Sequence, residues 1–291
     1  MDAVGSTIAT DVLSEKQRVA LISLLADEDP MVYEAVRARL LACGLSATEW
    51  LRPAQLSSDR LVRRRAKDIV HHLSREASHE RFLACCLNRG GLLDLEAGVW
   101  LLAQTQYPGF NEAAYRALLD QYASELREKT DMTGHPGSIV EAINHYLFIH
   151  LGYTGNEAHY YDPDNSYLNR VMDTRMGNPI SLCTIYLLVA RRLQLPIVGI
   201  GLPGHFICRY QTAAVEFFVD PFHRGRLLTQ ADCRRFLLQA HTPVGQDWLA
   251  PVASRRMLLR MCANLRLIYR HHGRSEEAAR FESYLEGLAR E

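Results

Sequence analysis

Apolar positions recur every three or four residues through most of the chain, which predicts a largely helical protein. From Glu15 to Leu73 the spacing predicts two helix pairs. The first holds Val19, Leu21, Ile22, Leu24 and Leu25, breaks at "DEDP", and resumes with Val32, Ala35, Val36 and Leu40. Asp29-Pro30 reads as a helix start, because proline at the first helical position gives up an N–H that has no partner there. The second pair is "ATEWLRPAQLS" followed by "SDRLVRRRAKDIVHHL". Residues 79–150 keep the helical period, with Gly90-Gly91 and Pro108-Gly109 as punctuation.

Beyond residue 150 the pattern changes. "GYTGNEAHYYDPDNSYLNRVMDTRMG" is rich in Gly, Asn, Asp and Tyr, and predicts a long loop whose side chains bond to local backbone. Ile180–Gln194 is apolar nearly all round and predicts a central, buried helix. "PIVGIG", "HFICRY" and "VEFFVD" predict strands, "TQADCRRFLLQA" a helix, and residues 254–291 two more helices.

A hairpin of "HFICRY" and "VEFFVD" centred between Thr212 and Ala213 pairs Arg209 with Glu216 and His205 with Asp220. Apolar residues then oppose apolar ones, as cross-strand energetics favour. In this register His205 and Asp220 share a face, a carboxylate placed to orient an imidazole. The turn lacks the Gly or Asn that a two-residue loop prefers.

Composition narrows the function classes. Lys plus Arg and Asp plus Glu number 33 each, so no net field favours nucleic acid or an anionic membrane. The basic run "RLVRRRAK" is flanked by Asp59 and Asp68 and reads as a solvated helix face. Seven cysteines without a C-x-x-C framework fit reduced thiols in a cytoplasmic protein. The first residues show neither a basic nor an apolar leader region, and no apolar run is long enough to span a bilayer.

The helix pairs of residues 1–78 resemble HEAT repeats, and "NLRLIYRHHGRSEEAARFESYLEGL" resembles a tetratricopeptide hairpin occupying residues 251–291. Between them, residues 79–250 carry the blocks "DPDNSYLN", "GNPISL" and "PGHF" in order. These resemble the SirB1 family of transglutaminase-like proteins, a core also seen within an F-box protein. The resemblance implies a mainly helical α+β fold: a transglutaminase-like, papain-like core with a small antiparallel sheet. It also implies a Cys-His-Asp triad with the cysteine at a helix start, where exposed N–H groups favour the thiolate. His205 and Asp220 match the last two members. Aligning "VARRLQLP" with its counterpart puts Pro179 at the nucleophile position.

Cys183 lies on the same helix face as Pro179, about 6 Å further along the axis, and Ser181 points away from it. Tyr160, Tyr161, Asn165, Arg175, Asn178 and Ser181 are expected around the mouth of the same pocket. Two functions remain open. One is a degenerate pseudo-enzyme that binds a protein or peptide. The other is a cysteine-dependent acyl transferase, amidase or protease using Cys183 as nucleophile, His205 as base and Asp220 to orient it, with helix N–H groups near Ser181 polarising the carbonyl. Beside these two stands a non-covalent hydrolase that activates water through His205 and needs no thiol.

Neither a cofactor nor a metal is expected, and neither nucleic acid nor membrane as partner. His205 and Cys208 are three apart on a strand and face opposite ways. His71-His72 and His271-His272 cannot each aim at one point. Asp162, Asp164, Asn165 and Asn169 lack the glycine and terminal glutamate of an EF-hand loop and read as loop-shaping groups.

Overall fold

The predicted helix pairs appear as α1 (Glu15–Ser23), α2 (Pro30–Ala42), α3 (Ser46–Leu51) and α4 (Arg60–Leu87) in a computed structural model that describes residues 13–88, 90, 92–239 and 249–290. The stretch read for a leader before residue 13, Gly91 and the predicted helix end at Ala240 lie outside the described residues. Chain contacts divide the protein into two units, 1–80 and 81–291, so the boundary falls within α4.

The first unit packs Leu25, Val36, Leu40, Leu51, Ala66 and Ile69 into a core of its own. Ser14 and Gln17 form a capping box on α1, and Asp29 accepts from the Met31 N–H at the start of α2 with Pro30 in the first position. The basic run is not wholly a solvated face. Arg65 donates to the carbonyls of Leu25 (3.0 Å) and Asp27 (2.5 Å) and lies 4.2 Å from the centre of the Tyr33 ring. It therefore ties the second helix pair to the turn of the first.

In the second unit α5 (Leu95–Gln106), α6 (Glu112–Lys129) and α7 (Pro136–Asn144) lead, through a π-helical turn at His145–His150, into the long loop. That loop holds β1 (Thr154–Gly155), α8 (Leu168–Thr174) and β2 (Met176–Gly177), the two short strands pairing in parallel. Next come α9 (Pro179–Arg192), then β3 (Ile197–Leu202), β4 (His205–Gln211), β5 (Glu216–Asp220) and β6 (Arg226–Leu228), an antiparallel sheet in sequence order. The chain ends with α10 (Gln230–Gln239), α11 (Ser254–His271) and α12 (Ser275–Ala289). The result is a mainly helical α+β fold.

α9 is buried along nearly its whole length, as its all-round apolar sequence requires. Its first turn carries a capping box between Asn178 and Ser181, and its last turn the basic pair Arg191 and Arg192. Arg192 pairs with Glu96 at 2.8 Å and Asp120 at 2.5 Å, fixing the end of the central helix to α5 and α6. One face of the sheet, through Phe206, Cys208, Tyr210 and Val219, joins the α9 core; the other, through Ile207, Phe218 and Leu228, packs with Cys233 and Leu237 of α10. Met257, Leu258, Met261, Leu265 and Tyr269 of α11 belong to the same core as α9. The C-terminal pair is thus part of the second unit and not a body apart. Among the described residues no helix is long and apolar enough to cross a membrane.

The hairpin register differs from the predicted one. Arg209 pairs with Phe218 and Gln211 with Glu216, which centres the turn between Ala213 and Ala214, one residue later than expected. Thr212 is the reason. Its N–H donates to the Val215 carbonyl at 2.9 Å, and its hydroxyl accepts from the Val215 N–H at 3.1 Å and the Ala214 N–H at 3.4 Å. The hydroxyl supplies the local bonding that Gly or Asn would otherwise make unnecessary. Moving a turn by one residue moves the register by two, so every side chain keeps its face.

Candidate functional site

His205 opens β4 just after a two-residue turn in which Gly204 takes φ +65°, and Asp220 closes β5. They meet diagonally across the two strands. His205 Nε2 lies 2.8 Å from Asp220 Oδ2, and the same oxygen lies 2.7 Å from Nδ1 of His223. Asp220 Oδ1 accepts from the N–H groups of Phe222 (3.1 Å) and His223 (3.3 Å). Burial pushes the Asp220 carboxyl up, but hydrogen bonds and charge from His205 and then His223 outweigh it and hold the group below the usual carboxylate range. The His205 ring stacks on Phe236 of α10 with centroids 5.3 Å apart. With Nε2 engaged, Nδ1 is its remaining hydrogen-bonding atom.

His205, Asp220 and His223 each bring a ligand atom within 4.8 Å of the others, a donor set that a divalent cation could use. Hydrogen bonding alone already accounts for the cluster, since four donors occupy the two carboxylate oxygens.

Cys183 does not join this pair. Its side chain is fully buried, and Sγ donates to the carbonyl of Phe206 at 3.3 Å. Burial, followed by the neighbouring Cys208 thiol, pushes its pKa well above the ordinary value. Strand alternation explains the separation: Phe206 and Cys208 point into the α9 core, whereas His205 faces with Ile207 towards α10. Ser181 is fully buried too. Its hydroxyl donates to the Asn165 carbonyl at 2.6 Å, and its N–H is taken by Asn178 Oδ1 at 3.0 Å, so neither group is free to serve an acyl substrate.

His205 borders a cleft of about 250 Å³ lined also by Tyr160, Tyr161, Asn178, Pro179, Arg260 and Asn264. Of the residues expected at its mouth, Tyr160, Tyr161 and Asn178 are there; Asn165, Arg175 and Ser181 are not among the lining residues. Asn165 instead braces the loop, its amide donating to the His159 carbonyl at 2.7 Å and its oxygen accepting from Asn156 at 2.9 Å. Arg175 caps α8 in the left-handed conformation, φ +62°, and donates to the hydroxyls of Tyr122 and Tyr153. Asp164 holds the side chains of Tyr107 and Arg170, and Asp162 caps the short helical turn Pro163–Ser166 by accepting from the Asp164 N–H, so both acidic groups serve the loop's structure. His271 and His272 both touch Tyr161 but at different points: the His271 ring stacks on its ring with centroids 4.8 Å apart, and His272 Nε2 lies 2.9 Å from its backbone carbonyl.

Three residues at the site were not singled out from sequence. His223 follows "VEFFVD" by three residues, and its i, i+3 relation to Asp220 is a turn contact with no sequence period. Arg260 and Asn264 lie in a segment read as a repeat, where their i, i+4 spacing put them on one helix face without saying what the face meets. Arg260 Nη2 donates to the carbonyls of Leu202 (2.5 Å) and His205 (2.6 Å), gripping both sides of the turn before β4.

A buried helix with a cleft at its start, followed by strands bearing histidine and aspartate, defines a transglutaminase-like arrangement. Residues 113–263 match the transglutaminase-like superfamily, and the chain belongs to it. It is similar to a UPF0162 protein of Xylella fastidiosa (strain 9a5c), 37% identical over 194 residues that cover 65% of this chain and 69% of that protein. A UPF0162 protein of Pseudomonas aeruginosa is 27% identical over 177 residues, covering 60% and 64%. Mouse F-box only protein 21 is 32% identical over 143 residues, 46% of this chain and 22% of that protein. No solved structure matches.

Proposed function

We propose that this protein is a pseudo-enzyme of the SirB1 type: a transglutaminase-like fold that has given up thiol chemistry and uses its cleft, with the His205–Asp220 pair, to bind a protein or peptide. The observation that carries the reading is the state of Cys183, fully buried and donating to the Phe206 carbonyl; the family resemblance adds that Pro179, the first residue of α9, falls at the nucleophile position. A thiol must be accessible and ionised to attack a carbonyl, and burial in apolar surroundings opposes both. The match inside F-box only protein 21, to a fraction of that protein, supports treating the core as a portable module. On this reading residues 1–78 are HEAT-like repeats and residues 251–291 a tetratricopeptide-like hairpin, each adding partner surface, and the protein works in the cytoplasm without nucleic acid or membrane.

The test is a comparison of wild type with Cys183→Ala for amide hydrolysis and for amine incorporation into a glutamine-containing peptide. The expected result is no turnover by either and equal peptide binding by both. Turnover by the wild type that vanishes in a folded Cys183→Ala variant would falsify the reading.

A further inference from the structure

The cleft has a charge imbalance. Among the described residues its lining holds one permanent cation, Arg260, and no Asp or Glu. Burial pushes the Arg260 pKa below its ordinary value, and the titratable neighbours acting on it are Tyr160 and Cys183, neither of them a carboxylate. His205 offers no compensation, because its acidic partner Asp220 is already shared with His223 and with two backbone N–H groups. Among the described residues the partners of Arg260 are two carbonyl oxygens and the face of the Phe206 ring, 5.5 Å away, so the half-buried guanidinium is short of an anionic counter-charge.

We propose that the cleft binds a carboxylate, received by Arg260 with Asn264 beside it. The inference rests on the reading of the cleft as a binding site and names the chemistry of its ligand. Both hydrogen bonds that anchor Arg260 to the turn leave from Nη2, so the guanidinium keeps further donors in its planar fork, the geometry that suits a carboxylate. Asn264, one helical turn on, adds an amide. The first turn of α9 also lines the cleft through Asn178, Pro179 and Ile180, which brings the positive end of a fourteen-residue helix to the same space. One cation matches one negative charge, which favours a carboxylate over a phosphate. Leu267, Ile268 and Pro179 supply apolar wall, so the carboxylate is carried on an apolar body. A peptide's C-terminus and an acidic side chain offer the same group.

The experiment is an NMR titration of the full chain, following the Arg260 Nε–Hε and His205 resonances. The probes are acetyl-Gly-Gly-Leu with a free carboxylate, the same peptide as its C-terminal amide, acetyl-Gly-Glu-Leu amide, and inorganic phosphate. Saturable shifts with the free acid and none with the Gly-Gly-Leu amide support a chain-terminal carboxylate. Shifts with the Glu amide peptide support a side-chain source. Arg260→Leu is expected to abolish binding; because it also loosens the turn, Asn264→Asp serves as the second variant, placing a negative charge in the cleft and weakening the acid about tenfold or more. Equal binding of acid and amide, tighter binding of phosphate, or no binding at all overturns the inference. These outcomes are separate from failure of the pseudo-enzyme reading, which shows as Cys183-dependent turnover whatever the titration gives.

Discussion

The Cys183 thiol donates a hydrogen bond to the Phe206 carbonyl within the α9 core, and that bond decides what the residue can do. Alkylation of the native protein at pH 8 should modify the partly exposed Cys43 and Cys85 and leave Cys183 untouched until the protein unfolds. Peptide mapping by mass spectrometry reads the difference. Asp220 supports a pH prediction. Its folded pKa is lowered, so its bonds stabilise the fold fully above the ordinary carboxylate value, and that contribution is lost as pH falls through the folded value. Asp220→Asn should cost about 2 kcal/mol at pH 7, and the gap to wild type in urea denaturation should narrow below about pH 4. A gap that widens on acidification would contradict the assignment. His205 and Asp220 were legible in sequence because strand alternation fixes faces even when the register slips by two. Arg260 was not, because its partners are the carbonyls of Leu202 and His205 on another element, and nothing in the local pattern of α11 encodes that meeting.

At the scale of elements, the start of α9 is held by Asn178 from both sides, its amide donating to the Ser166 hydroxyl at 2.9 Å while its oxygen caps the Ser181 N–H. Gly177 precedes it because a methyl there would come within 2.6 Å of the Ser181 hydroxyl and 2.9 Å of Val171. Gly177→Ala should lower stability by about 1–3 kcal/mol, the usual cost of overpacking, with a matching fall in Tm. A neutral result would mean that the capping box yields without loss. The cap and the proline were readable from "GNPIS", since each acts within one turn of its own position. The turn at Ala213-Ala214 was not, because Thr212 replaces a backbone preference with a side-chain bond.

At the scale of the whole molecule, the main helices and the strands β3 to β5 followed from periodicity; the short β1, β2, β6 and α8, the continuity of α4 and the grouping of the last two helices did not. Repeat-like spacing in α11 and α12 says that they pair; it is silent on Met257, Met261 and Leu265 reaching the α9 core. Tyr167 and Tyr269 also meet there, their hydroxyls 2.7 Å apart. Removing residues 254–291 should therefore abolish cooperative unfolding of the second unit, seen as loss of dispersed amide signals, instead of trimming an appendage. Pro179 has a consequence of a different kind. It sits at the first position of the central helix and borders the same cleft as His205. On the pseudo-enzyme reading proposed above, proline occupies the place a nucleophile would take. Pro179→Cys, made in the Cys183→Ala background, would install a thiol at a helix start beside an imidazole. Its alkylation should run about tenfold faster than that of a surface cysteine at neutral pH, making the cleft a designed electrophile trap.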